Sequence, residues 1–168
     1  METAANISSF ERKFSMSNTY KQSAVHIVFA AKYRQALITP PIREHVERHM
    51  AGKINGMGHQ LMALHAMPDH VHVLLAISMN MAPAMLMQVL KGETSHWINE
   101  QHLLPAHFEW QRGYRWFHVS EDRVPIVAAY IRRQPEHHRQ ECFLAEDRRM
   151  LGEAGIDFDP QYGFKEPE

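Results

Sequence analysis

Two apolar runs separated by a short turn constrain the fold most strongly. Residues 59–66 and 70–77 are extended apolar runs, and the intervening Met67-Pro68-Asp69 is typical of a turn. This arrangement predicts an antiparallel β-hairpin. Because side chains alternate along a strand, His70 and His72 share one face of the second strand, and Val71 and Val73 share the other. If the valines pack under helices, both imidazoles are presented on the opposite face of the sheet.

Patterns elsewhere in the chain predict five further elements. Alternating apolar residues indicate strands, whereas apolar residues at four-residue spacing, bounded by Thr, Pro and Gly, indicate helices. In chain order, these elements are a strand over 24–30, a helix from Pro40 to Gly52 or Gly56, a helix from about Pro83 to Gln101, a strand over 113–120, and a helix that begins after Ser120 or Asp122 and carries Tyr130.

The order of these elements predicts an α+β fold. The first six follow the sequence strand, helix, strand, strand, helix, strand, which is the order of ferredoxin-like and RRM-like folds. Such folds have an antiparallel sheet with two helices on one face. We expect the extra helix that carries Tyr130 to lie on the open face.

The length of 168 residues and the 45% apolar content fit one domain with a core of its own. We expect a polar lead-in over 1–18, a domain over 19–145 and an acidic tail over 146–168. Residues 141–168 hold eight acidic and three basic side chains, whereas residues 1–140 hold 11 and 15. This division is compatible with a polyanionic partner, but also with ordinary solvated surface, so charge alone does not decide the function.

The single cysteine, Cys142, excludes an intrachain disulfide framework and a zinc ribbon, and it indicates a reducing cytoplasm. The apolar runs are too short to span a bilayer, and the N-terminal stretch has no apolar signal region. We therefore expect a cytoplasmic protein without a membrane partner.

The His70–His72 pair is a candidate for half of a divalent metal site, because two imidazoles two residues apart on a rigid strand point the same way. The alternative is a pair of half-buried strand histidines with no ligand. Tyr130 and Gln134 are four residues apart on the late helix and so share one face of it. Pro135 disfavours helical geometry in the residue before it, so we expect Gln134 at the helix end.

In combination, these motifs resemble the HUH-type single-tyrosine transposases. These are small insertion-sequence transposases that act on single-stranded DNA, with relatives associated with repetitive extragenic palindromes. The likeness covers about residues 20–145, and its landmarks are His26-Ile27-Val28-Phe29 with Lys32-Tyr33-Arg34, Met67-Pro68-Asp69-His70-Val71-His72, Leu90-Lys91-Gly92, Trp110-Gln111-Arg112-Gly113-Tyr114, Val119-Ser120, Tyr130, Gln134 and His137-His138-Arg139.

The resemblance implies a specific chemistry. His70, His72 and Gln134 would hold one Mg²⁺ or Mn²⁺ ion, and Tyr130 would attack a phosphodiester of single-stranded DNA. The products would be a 5′-phosphotyrosine link and a free 3′-hydroxyl. The implied partners are hairpin DNA and a second copy of the chain in a homodimer, and the protein would be associated with the nucleoid when it is bound to DNA.

Candidate DNA contacts are basic residues near predicted strand ends and on the tyrosine helix. Arg112 and Arg115 are the strongest, ahead of the aromatic residues that could stack on unpaired bases, namely Tyr33, Trp110, Tyr114 and Trp116. Trp110 and Trp116 are equally typical of core. The full set is Lys32, Arg34, Lys91, Arg112, Arg115, Arg132 and Arg133.

Three residues depart from the family pattern, namely Glu93, His118 and Pro135. Two alternatives therefore stay open. One is an inactive or domesticated nucleic-acid-binding regulator on the same scaffold. The other is a zinc hydrolase or metal-binding protein built from some of the 13 histidines.

Overall fold

The computed structural model describes residues 23–157 and 159, so the predicted lead-in over 1–18 lies outside the described residues. The described chain confirms the predicted α+β order and adds two helices at its end. Its strands and α-helices are β1 (Ala24–Ala30), α1 (Pro40–Gly56), β2 (Gln60–Ala66), β3 (His70–Ala76), α2 (Pro83–Glu100), β4 (Arg115–Val119), α3 (Val124–Arg132), α4 (Gln134–His137) and α5 (Phe143–Glu153).

The four strands form one antiparallel sheet in the order β2-β3-β1-β4. In the two central strands, Ala30 pairs with His70 and Val28 with His72. Every residue of β1 and β3 is buried. The sheet therefore has protein on both faces, and any group on its centre is removed from bulk water.

The first face of the sheet holds the larger core. Val25, Ile27 and Phe29 of β1 point to this face and pack with Val71 and Val73 of β3 against α1 and α2. This alternation is the one predicted from the sequence, because apolar residues at odd positions of β1 and β3 share one face. The valines next to the histidine pair thus anchor β3 under the helices.

The second face is covered by the C-terminal helices. Ala128 and Ile131 of α3 pack on Leu74, which confirms the predicted position of the tyrosine-bearing helix on the open face. Phe143 and Met150 of α5 pack beside it, on Val28 and Ala30. The second layer therefore contains α5 in addition to the predicted helix.

Helix α5 crosses the boundary that the sequence suggested between residues 145 and 146. Two of the acidic residues expected in a tail, Glu146 and Asp147, are fully buried. Asp147 accepts two hydrogen bonds from the Arg115 guanidinium on β4, at 2.7 and 2.8 Å. This bidentate ion pair compensates the buried charge and joins α5 to the edge of the sheet.

We predict that Arg115→Met lowers the free energy of unfolding by about 3 kcal/mol, because it leaves the Asp147 carboxylate buried without its charged partner. The double variant Arg115→Met/Asp147→Leu should recover most of this loss, since a buried ion pair can be replaced by apolar groups at little cost. Urea unfolding measures both effects. Lys32→Met is the control, because the Lys32–Glu109 pair lies at the surface, where water screens it, so its loss should change the stability little. Equal losses in Arg115→Met and the control would contradict the anchoring role.

Candidate functional site

The predicted histidine pair lies at the start of β3, on the face covered by the C-terminal helices. His70 is 1% exposed and His72 is fully buried. The Nδ1 atom of His70 lies 2.7 Å from Asp69 Oδ1, and that of His72 lies 2.9 Å from Nε2 of His26 on the neighbouring strand. Both imidazoles are therefore held through Nδ1.

The Nε2 atoms of this pair are the free ends of the two rings. Both are buried, and neither has a hydrogen-bond partner among the described residues. Burial lowers the pKa of His72 to about 4 and also lowers that of His70, although Asp69 opposes the shift in His70. Both imidazoles are therefore neutral near pH 7, which is the form that binds a metal ion.

Tyr130 and Gln134 reach the same place from the second layer. Helix α3 ends at Arg132, and Gln134 begins the short helix α4, with Pro135 in its first turn. Gln134 thus lies just beyond the end of α3, where its side chain is fully buried. The Tyr130 ring stands edge-on to His72, with 6.1 Å between ring centroids. The break at Pro135 therefore leaves Gln134 facing inward beside Tyr130.

A buried carboxylate, that of Glu146 on α5, joins these groups. Its Oε1 accepts hydrogen bonds from the Tyr130 hydroxyl and, at 2.9 Å, from Gln134 Nε2. Its Oε2 lies 3.0 Å from His138 Nε2 and 3.5 Å from His72 Nε2. Burial and this carboxylate raise the pKa of the Tyr130 phenol above its ordinary range, so the phenol is protonated at neutral pH.

One donor atom from each of His70, His72, His138 and Glu146 lies within 4.8 Å of the others. Sequence reasoning found the first two and missed the last two as site residues. The sequence does contain a signal for helix α5, because Phe143, Met150 and Leu151 are apolar residues at helical spacing. The acidic residues between them concealed it, because acidic side chains are usually solvated.

The comparisons with known proteins identify the family. Residues 19–134 match the family model described as "Transposase IS200 like". The chain belongs to the IS200-like transposase family. This membership confirms the resemblance found in the sequence, and the coarse function is that of a transposase. The curated proteins include no significant match to this sequence.

Two solved structures share the fold of this transposase. A candidate transposase from Deinococcus radiodurans R1 is 24% identical with a TM-score of 0.58, covering 71% of this chain and 95% of its own. A REP-associated tyrosine transposase bound to a REP hairpin is 14% identical with a TM-score of 0.55, covering 91% of this chain and 96% of its own. The described part of this chain has no helix with the length and apolarity needed to cross a membrane.

The basic residues predicted to contact DNA have different surroundings in the transposase. Arg115 is paired with Asp147, Lys32 is paired with Glu109 at the surface, and the Lys91 ammonium donates to the carbonyls of Gln111 and Gly113. Burial lowers the pKa of Lys91 to about 8. Arg34 is half-buried, and the exposed members of the set are Lys32, Arg112, Arg132 and Arg133.

Five of the predicted basic and aromatic residues line one groove, of about 870 Å³: Lys32, Tyr33, Lys91, Trp110 and Arg112. The groove lies beyond the end of β1, and this is the end at which Ala30 pairs with His70. Tyr33 has a φ of 55° and Arg34 a φ of 51°, a backbone conformation that residues other than glycine rarely adopt. A strained segment thus lies at the groove, next to the sheet end that carries the histidines.

We predict that the neutral His70 ring carries its proton on Nδ1, because the Asp69 carboxylate can only accept a hydrogen bond. Long-range ¹H–¹⁵N NMR at pH 7.5 distinguishes the two tautomers. His59 is an internal control of the opposite kind, since its Nδ1 accepts a hydrogen bond from the Ser78 amide and its proton must be on Nε2. In Asp69→Ala, His70 should lose its preference for the Nδ1 proton while His59 keeps its own. An Nε2–H tautomer at His70 in the unaltered protein would contradict this assignment.

Proposed function

We propose that this transposase nicks and rejoins single-stranded DNA through a 5′-phosphotyrosine intermediate at Tyr130, with the help of a divalent metal ion, after it recognises hairpin DNA. The observation that carries the proposal is the convergence of two elements distant in sequence. The free Nε2 atoms of the β3 histidines and the hydroxyl of Tyr130 meet around one buried carboxylate.

The proposed metal ligands are His70, His72 and Gln134. In support, His70 Nε2, His72 Nε2 and Gln134 Oε1 are buried polar atoms without a hydrogen-bond partner among the described residues. Mixed nitrogen and oxygen donors suit Mn²⁺ or Mg²⁺, and three ligands leave positions for phosphate oxygens. When bound, the ion would polarise the scissile phosphate and neutralise charge that develops in the transition state.

Tyr130 is the proposed nucleophile. Its phenolic oxygen forms a bond to phosphorus as the bond from phosphorus to the 3′-oxygen breaks, and the phenolic proton balances the 3′-hydroxyl that is released. Attack by a 3′-hydroxyl on the phosphotyrosine reverses these changes, so rejoining needs no nucleotide cofactor. Arg149 of α5 donates a hydrogen bond to the Tyr130 oxygen at 3.2 Å and thereby holds the nucleophile in place.

The groove formed around Lys32, Tyr33, Lys91 and Arg112 is the proposed path of the single strand. Cationic side chains attract the phosphates, and an aromatic ring can stack on an unpaired base. Hairpin recognition is proposed because one structural relative is described as bound to a REP hairpin. Arg34, Arg115, Arg132 and Arg133 stay predicted DNA contacts.

The predicted homodimer stays a prediction. Tyr130 lies beside the histidines of its own chain, since its ring is 6.1 Å from that of His72 and 6.4 Å from that of His26. The proposed cleavage therefore needs no tyrosine from a second subunit.

We predict that Tyr130→Phe abolishes covalent attachment to DNA. Purified protein is incubated with a 5′- and 3′-labelled single-stranded hairpin and Mn²⁺, and the products are separated on a denaturing gel. Tyr114→Phe is the matched control and should still form the covalent product, because it keeps the aromatic ring and Tyr114 lies outside the cluster around Glu146, with its ring against Trp116. Chelation of the metal should remove the covalent product from the unaltered protein.

The same experiment tests the alternatives. His70→Ala should lose cleavage and keep hairpin binding in a native gel. Hairpin binding by the unaltered protein without a covalent product would favour the inactive regulator. A tightly bound zinc ion, with no effect of Tyr130→Phe, would favour the zinc protein.

We predict that Arg112→Ala weakens hairpin binding and lowers the slope of log affinity against log salt concentration by about one, as expected for the loss of one phosphate contact. Fluorescence anisotropy over a series of salt concentrations measures both. Arg48→Ala is the control, because Arg48 is an exposed arginine on α1 that does not line this groove. The same slope in all three proteins would contradict the proposed path.

A further inference from the structure

The resemblance to the single-tyrosine transposases gives no role to the Glu146 carboxylate at the centre of the site. Glu146 lies on α5, beyond the residues 19–134 that match the family, and its side chain is fully buried. Its Oε2 lies 3.5 Å from His72 Nε2 and 3.8 Å from His70 Nε2. These are the two nitrogen atoms that lack a hydrogen-bond partner among the described residues.

These distances match those between two ligands of one ion. Donor atoms that each lie about 2.2 Å from a divalent cation are separated by about 3.1 Å at a right angle and by about 3.6 Å at a tetrahedral angle. The distances from Glu146 Oε2 to the two Nε2 atoms thus match the tetrahedral separation to about 0.2 Å and exceed the right-angle separation by about 0.4 to 0.7 Å.

The buried charge of Glu146 also favours a metal ion at this position. A fully buried carboxylate is costly unless a positive charge compensates it. Glu146 Oε2, the oxygen that faces the two histidines, lies 3.0 Å from His138 Nε2, and Oε1 accepts hydrogen bonds from Tyr130 and Gln134. A divalent cation between Oε2 and the two Nε2 atoms would supply a compensating positive charge.

We propose that Glu146 is a ligand of the same divalent ion as His70 and His72, an inference that rests on the proposed metal-dependent function. Its Oε2 faces the ion, and its Oε1 keeps the hydrogen bonds from Tyr130 and Gln134. One carboxylate then connects the ion with the nucleophile. Metal affinity consequently depends on α5, which the Arg115–Asp147 ion pair holds on the sheet.

The test is the affinity of the full-length protein for Mn²⁺ alone, measured by calorimetry without DNA. Glu146→Gln should bind Mn²⁺ at least about tenfold more weakly than the unaltered protein, since even groups behind the ligands contribute that much. His70→Ala tests the proposed function and should also lose affinity. Glu153→Gln removes an exposed carboxylate from the same helix and should bind as the unaltered protein does.

The outcomes separate the two proposals. Unchanged or tighter binding by Glu146→Gln, with weak binding by His70→Ala, would overturn the role of Glu146 and leave the proposed function intact. In that case the carboxylate would occupy space that the ion needs. No Mn²⁺ binding by the unaltered protein, or equal binding by it and His70→Ala, would overturn the metal site itself and this inference with it.

If thermal unfolding shows that Glu146→Gln does not fold, a second measurement tests whether Glu146 is a ligand of the ion. Anomalous diffraction from crystals of the unaltered protein with Mn²⁺ locates the ion. A peak within about 2.4 Å of Glu146 Oε2 and of both histidine Nε2 atoms would support the inference. A peak next to the histidines alone would overturn it.

Discussion

The buried carboxylate of Glu146 is the contact on which the assembly of the site depends. It accepts hydrogen bonds from Tyr130 and Gln134 through one oxygen and lies against His138 and His72 through the other. Burial alone would raise the pKa of this carboxyl group, but hydrogen bonds from His138 and the other neighbours keep it well below its ordinary value. The carboxylate therefore stays ionised, and through it helix α5 contacts side chains of β3, α3 and α4 at one site.

The sheet explains why these groups can be placed accurately. Strand β3 lies between β1 and β2, so its backbone is hydrogen-bonded on both sides, and Val71 and Val73 fix it against the first helical layer. The histidines on its other face therefore have fixed backbone positions, and Asp69 and His26 orient their rings. The tyrosine comes from a helix that packs on the second face through apolar contacts. A rigid strand thus positions the proposed metal site, and a separately packed helix positions the proposed nucleophile.

Much of this arrangement could be predicted from the sequence, because it follows from short-range patterns. Alternation placed His70 and His72 on one face, and Pro135 placed Gln134 at the end of a helix, as the structure shows. Helix α5 could not be predicted in the same way. Glu146 and Asp147 resemble solvated residues until their partners are known, which are His138, eight residues before Glu146, and Arg115, 32 residues before Asp147. Arg115 was predicted as a DNA contact, and the structure pairs it with Asp147, which no local pattern shows.

The most direct test of this account is to identify the residue that becomes attached to DNA. Reaction of the unaltered protein with a single-stranded hairpin and Mn²⁺, followed by digestion with nuclease and trypsin, leaves any linked nucleotide on one peptide for mass spectrometry. The account predicts a 5′-linked nucleotide on Tyr130, in the tryptic peptide 124–132, and a free 3′-hydroxyl on the released strand. Cleaved DNA with no linked peptide, or a nucleotide on another residue, would contradict it.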